Sequence, residues 1–204
     1  MNAKAIKSFL SDHEIALMHK AVYEQYDSSP QEVANIYEIL ETGWEKKLKV
    51  EKDFGKASFI VRPMPKEILD KAIEFFSSYG HNATPDDIVC IFMRYSNEFG
   101  TPELEPHIDL HDSGLSIDYQ LRSNIDWSVI VENQEYKIED NDALVFDSTK
   151  VVHWRNPKIF KDGEFVDMIL FHFFSKNDIK LSQEEKNEKI SMYVEDYLRL
   201  KETR

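Results

Sequence analysis

The chain is short of cysteine: Cys90 is the one such residue among 204. No disulfide can form within the chain, which rules out a disulfide framework. Cys90 lies in the apolar run IVCIFM. A thiol there is expected to be a small buried hydrophobe, because a catalytic one needs exposure and a nearby base. Positive charge is also scarce. Against 38 Asp and Glu stand 25 Lys and Arg, for a net charge of −13. The basic residues are scattered singly or in pairs such as Lys46-Lys47, with no stripe to track a phosphate backbone. Nucleic acid is disfavoured as a partner, and so is an anionic membrane surface. Long apolar runs are missing as well: none approaches the ~20 residues that span a bilayer. The opening MNAKAIKSFLSDHE holds no apolar h-region of a secretory signal. The expectation is a soluble, cytoplasmic protein.

What is present suits one compact domain over 1–204, since 42% of residues are hydrophobic and no repeat, linker or low-complexity stretch intervenes. Residues 1–87 read mainly as helical support. In SDHEIALMHKAVYEQY, Ser11 and Glu14 form a capping-box pattern, and Ile15, Met18, Ala21 and Val22 recur at helical spacing. SPQEVANIYEILETGW has Pro30 near its start and Gly43 past its end, as a helix prefers. ASFIVRPMP predicts a short strand, and KEILDKAIEFFSSYG a third helix stopped at Gly80. From Ile88 the texture turns to short apolar segments broken by Glu-Asn-Gln and Asp-Asn-Asp turns. VVHWRNP and FVDMILFHFF are strand candidates, with KDG between them as a hairpin signal. After Lys180 a closing helix is expected, with Ile190, Tyr193, Val194 and Tyr197 along one face. The predicted class is α+β: a jelly-roll core of roughly eight strands over 88–176, flanked by N-terminal helices and a C-terminal helix over 180–204.

The chemistry concentrates in EPHIDLHDSG and KVVHWRNP. His107 and Asp109 stand at i, i+2, which on a strand sends both side chains to one face. His153 lies in a later strand-like run. Two imidazoles and a carboxylate on one side of a metal leave three positions open, the facial triad of non-haem Fe(II) oxygenases. A lone His-x-Asp is a common pairing, equally at home as solvated polar residues in a loop.

Its surroundings matter. MRYSNEFGTPELEPHID, the hairpin DYQLRSNIDWSVIVENQEYKIEDNDALVF, the later HWRNP and the last-strand candidate GEFVDMILFHFF together resemble the Fe(II)- and 2-oxoglutarate-dependent dioxygenases, in their prolyl-hydroxylase-like branch. The resemblance covers about residues 88–174. It implies a double-stranded β-helix with Fe(II) held by His107, Asp109 and His153, with 2-oxoglutarate and O2 as cosubstrates and ascorbate as an optional reductant. It implies hydroxylation of a small-molecule or peptidyl substrate, with 2-oxoglutarate decarboxylated to succinate. A carboxylate at position 109 argues against a halogenase-type site. The family's usual cation on the last strand is missing here. Arg155, two residues past His153, is the leading candidate to bind the distal carboxylate, with Tyr95 and Arg122 as further candidates. His111 falls outside the pattern and reads as a solvated or substrate-edge residue. His172 reads as a core histidine first and a pocket residue second, and Trp127 and Trp154 read as packing. A cupin-like, metal-binding jelly roll without oxygenase activity is the alternative, and the missing late cation is its support. A partner-binding protein that uses its helical ends is a third reading. Oligomeric state is left open.

Overall fold

The computed structural model describes residues 3–29, 31–33, 48–109, 113–174 and 181–203. His111 and residues 34–47, the bulk of the second expected helix, lie outside them. Among the described residues twelve strands form two sheets. The larger runs β1 (Lys4–Ile6), β10 (Ala143–Phe146), β7 (Ser113–Ser123), β12 (Phe165–Phe174), β5 (Ile88–Ser96), β4 (Lys56–Ile60), β3 (Leu48–Glu51), β2 (Gln31–Val33). The smaller runs β6 (Leu104–His107), β11 (His153–Arg155), β8 (Val129–Val131), β9 (Gln134–Tyr136). The two sheets face each other as a double-stranded β-helix, and consecutive strands repeatedly change sheet.

Helices α1 (Asp12–Ser28) and α2 (Lys66–Ser78) cover one face of the larger sheet. The start of α1 carries the predicted capping box: the Glu14 N–H donates to Ser11 Oγ, and the Ser11 N–H donates to Glu14 Oε2. Met18 and Val22 bury against the sheet. Helix α3 (Gln183–Glu202) packs on the outer face of the smaller sheet, where Trp154 stacks on Tyr193 at 5.0 Å and Tyr197 is buried. No helix among the described residues is long and apolar enough to cross a membrane.

Strict alternation divides the larger sheet's residues between two cores. On β12, Ile169, Phe171 and Phe173 face the helices, whereas Val166, Met168 and Leu170 face the smaller sheet. On β5, Phe92 faces the helices while Met93 and Tyr95 face inward. Asp167 breaks the apolar pattern on the helix side. It is fully buried, binds Arg94 through both oxygens at 2.7 Å, and accepts from the Tyr23 hydroxyl at 2.6 Å.

Three expectations are corrected. Residues 31–33, read as the start of a helix, pair in parallel with β3. Strands β1 and β3 also lie within the stretch read as helical support, because segments of three or four residues give too little alternation to register. The KDG turn forms, with the Glu164 N–H on the Lys161 carbonyl and Gly163 at φ 80, but it joins strands of different sheets. Both edges of β11 are already taken, by β6 and β8. A turn signal specifies a reversal and says nothing about which strand pairs next.

The loop leading into β6 is locked against the β3–β4 turn. The Glu103 N–H donates to the Phe54 carbonyl, and Gly100 sits at φ 138. A Cβ on Gly100 would lie 2.1 Å from the Lys52 carbonyl oxygen. Gly100→Ala is expected to cost about 2–3 kcal/mol. Urea denaturation would show it as a lowered midpoint, and an unchanged midpoint would refute the close approach.

Candidate metal centre

His107 ends β6, and the alternation continues past it: Ile108 turns outward beneath α3 while Asp109 turns back inward. Across the ladder His107 is the direct partner of His153 on β11. The two rings lie 4.1 Å apart, and Phe146 packs 4.9 Å from the second. Asp109 is fixed by its backbone: its N–H donates to the Ser148 carbonyl at 2.9 Å, and its carbonyl accepts from Lys186 of α3 at 2.7 Å.

One ligand atom from each of His107, Asp109 and His153 lies within 4.8 Å of the others. Asp109 Oδ1 is 3.6 Å from His107 Nε2 and 3.8 Å from His153 Nε2. Two ligands each about 2.1 Å from one ion sit no more than about 4.2 Å apart, so both spacings admit a shared ion. The outer nitrogens agree. His107 Nδ1 lies 2.7 Å from the Glu105 carbonyl and His153 Nδ1 3.3 Å from the Val151 carbonyl. A carbonyl acceptor puts the proton on Nδ1 and frees Nε2 as a ligand, the arrangement metal-bound histidines favour. Burial holds His153 neutral, assisted by the neighbouring His107 and against the pull of Asp109. Burial opposes the charge on Asp109, but the surrounding imidazoles and the Ser148 hydroxyl keep its carboxyl below the usual range. The donor set therefore fits a divalent cation, with the Asp109 carboxylate and the His153 imidazole shifted in the directions that binding requires.

Arg155 follows on the same face of β11 as His153, with Trp154 outward between them. Arg155 is 2% exposed; its guanidinium lies 4.9 Å over the Trp127 ring and donates to the Trp127 carbonyl. It also approaches Met168 Sδ at 3.4 Å. Burial pulls its pKa down to about 10, with Tyr95 and Asp118 acting the other way. Tyr95 faces the same space, edge-on to Trp127 at 5.1 Å. Arg122 does not. A bulge at Leu121 pairs Arg122 with Asp167 and Gln120 with Met168, which turns Arg122 to the helix side. It is exposed there, 5.4 Å from the Phe165 ring.

His172 reverses the order of its two readings. It shares the inward face of β12 with Met168 and Leu170 and lies 4.0 Å from Asp109 Oδ2, with Nδ1 2.9 Å from Ser116 Oγ. Its position in alternation with Met168 was the available signal. Asp118 has no motif to mark it. Its carboxyl is pushed up to about 7, by burial and then by the charge of Asp109, while Arg155 draws it down. Trp127 and Trp154 pack as expected, their indole N–H groups donating to the Asn156 carbonyl and side chain.

No protein-family model and no curated protein matches this chain. Solved structures do. The fold is similar to a prolyl-4-hydroxylase from Pseudomonas putida, at TM-score 0.56 and 15% identity, covering 85% of this chain and 92% of that one. It is similar to IDO from Bacillus thuringiensis, at 0.52 and 15%, covering 86% and 93%. An oxidoreductase of the 2OG-Fe(II) oxygenase family from Burkholderia pseudomallei gives 0.55 and 12%, covering 87% and 86%. At such identities the likeness is one of fold: this is a 2OG-Fe(II) oxygenase-like double-stranded β-helix with a candidate His-Asp-His metal site.

Proposed function

We propose that this protein is an Fe(II)- and 2-oxoglutarate-dependent oxygenase that hydroxylates a small-molecule or peptidyl substrate. The observation that carries the reading is the convergence of His107, Asp109 and His153 on one point, with a buried guanidinium further along the same inter-sheet space. The bound metal supplies the activation of O2, coupled to decarboxylation of 2-oxoglutarate to succinate; the protein's part is to bind, orient and exclude water. His107 and His153 offer Nε2, and Asp109 offers Oδ1. The Arg155 guanidinium receives the distal carboxylate, with the Tyr95 hydroxyl as a second donor. Arg155 takes over the task of a last-strand cation: the inward residues there are Val166, Met168, Leu170 and His172, with no Lys or Arg among them. Trp127, Phe146 and Met168 keep the space apolar, which strengthens each polar contact inside it.

One observation favours the alternative of a metal-binding jelly roll without this activity. Arg155 is already engaged by the Trp127 carbonyl and faces the charge of Asp118. A carboxylate beside the intended anion site opposes a dicarboxylate whenever it is ionised. The deciding experiment is a thermal melt with Mn(II), with and without 2-oxoglutarate. At a hundred times its dissociation constant the cosubstrate contributes about 2.7 kcal/mol, a rise of about 5–10 °C for a chain of this size. Succinate release with Fe(II), 2-oxoglutarate and ascorbate is the expected companion result. A melt that responds to metal but not to 2-oxoglutarate, with no succinate formed, selects the alternative.

A further inference from the structure

Three neighbouring strands of the larger sheet set out a row of polar side chains that ends at the candidate metal centre. His172 on β12 is the register partner of Ser116 on β7, and Ser116 is the partner of Phe146 at the end of β10. Ser148 follows two residues later. Ser116 Oγ lies 2.9 Å from His172 Nδ1 and 2.7 Å from Ser148 Oγ. Ser148 holds residue 109 twice: its carbonyl accepts the Asp109 N–H at 2.9 Å, and its hydroxyl donates to the Asp109 carboxylate. Both serines are buried. The row joins the last strand of the larger sheet to a residue that continues β6 of the smaller one.

Counting protons fixes the direction of every bond in the row. The row has three contacts, and the two hydroxyls supply two protons between them. An ionised carboxylate only accepts, so the Ser148 proton goes to Asp109. Ser148 Oγ then accepts from Ser116, which spends the second proton. The third must come from His172, whose ring donates to Ser116 Oγ through Nδ1–H. Hydrogen bonds in such a chain polarise one another, so each strengthens the next. Packing alone does not call for these residue types: the inward neighbours of His172 on β12, Met168 and Leu170, are apolar, and a buried hydroxyl is costly unless it is bonded. The two carboxylate oxygens of Asp109 face different surroundings. Oδ1 lies 3.6 and 3.8 Å from Nε2 of His107 and His153, whereas Oδ2 faces His172 at 4.0 Å.

We propose that Ser148, Ser116 and His172 are positioning residues that together hold the Asp109 carboxylate with Oδ1 turned to the metal. Ser148 acts on the carboxylate directly, and His172 acts on it through the two hydroxyls. The assignment rests on the reading of His107, Asp109 and His153 as a metal centre. It gives the last strand a task in that centre although it supplies none of the three ligands: β12 sets the ligand of the opposite sheet from across the barrel.

The test measures Mn(II) affinity of the full chain by electron paramagnetic resonance. Ser148→Ala is expected to weaken binding about 10–100-fold, the range for losing a group that orients a ligand. His172→Leu, which nearly keeps the volume and removes the donor, is expected to weaken it several-fold. His172→Asn, whose amide N–H can stand in for Nδ1–H, is expected to restore most of that loss. Adding His172→Leu to Ser148→Ala is expected to cost nothing more, because the chain is already cut. Losses that multiply in the double variant overturn the proposal, as does a His172→Leu loss that His172→Asn leaves unrelieved. A second measurement needs no variant: two-bond proton–nitrogen correlation NMR of the unaltered protein reads the tautomer of the neutral His172 ring. Nδ1 is expected to carry the proton, and a bare Nδ1 overturns the chain. Mn(II) binding that is insensitive to His172→Leu overturns this proposal alone, whereas an unaltered protein that binds no Mn(II) overturns the metal reading and the role with it.

Discussion

Asp109→Ala is expected to lower Mn(II) affinity by more than 100-fold and to bring succinate formation down to background. The carboxylate is the single anionic group of the candidate site, and it sits between the two imidazoles at 3.6 and 3.8 Å. Loss of a partner that merely orients a ligand already weakens metal binding 10–100-fold, so loss of the ligand itself must exceed that. The backbone bonds of residue 109, to the Ser148 carbonyl and from Lys186, involve no side-chain atom of Asp109 and should survive the change. The loss should therefore show in Mn(II) titration by electron paramagnetic resonance without collapse of the fold. Asp109→Asn, which keeps the shape and one acceptor, should fall between the two. Undiminished Mn(II) binding in the alanine variant would show that the metal sits elsewhere, and the functional reading would go with it.

Asp167→Ala should destabilise the protein by about 3–5 kcal/mol, the range for removing one partner of a buried ion pair. The carboxylate is fully buried and takes two hydrogen bonds from Arg94 and one from Tyr23. It thereby ties α1 to both β5 and β12 through a single side chain. Without it, the Arg94 guanidinium remains among the rings of Tyr26 and Phe165, 4.7 and 4.9 Å from their centres, with no counter-charge. Those ring contacts are worth far less than the pair they surround. Urea unfolding followed by far-ultraviolet circular dichroism measures the effect. A loss below about 1 kcal/mol would mean that the rings alone hold Arg94 in place.

Helix α1 and the pairing of His107 with Asp109 were legible because each rests on a short-range pattern, whereas His153 was joined to them only through the family resemblance. Ser11 and Glu14 announce α1 within four residues, and the i, i+2 spacing of His107 and Asp109 survives into the structure as a shared face. The inward facing of Arg155, two residues past His153, was legible for the same reason. Arg122 was misjudged because a bulge at Leu121 reverses the facing of every residue beyond it, and no composition signal marks that bulge. His172 looked like core because its neighbours are phenylalanines; those face the helices while the histidine faces the triad. The burial of Glu51 was not legible, for another reason. A glutamate in a short charged stretch reads as surface until the sheet that buries it is known.

β1, at one edge of the larger sheet, pairs Lys4 with Val145 and Ile6 with Ala143. On a ribosome that edge stays open until its mate emerges, on the order of ten seconds later at ordinary elongation speeds. β12, which joins β7 to β5, emerges only after His153, so the larger sheet closes once all three residues of the candidate metal site have been synthesised.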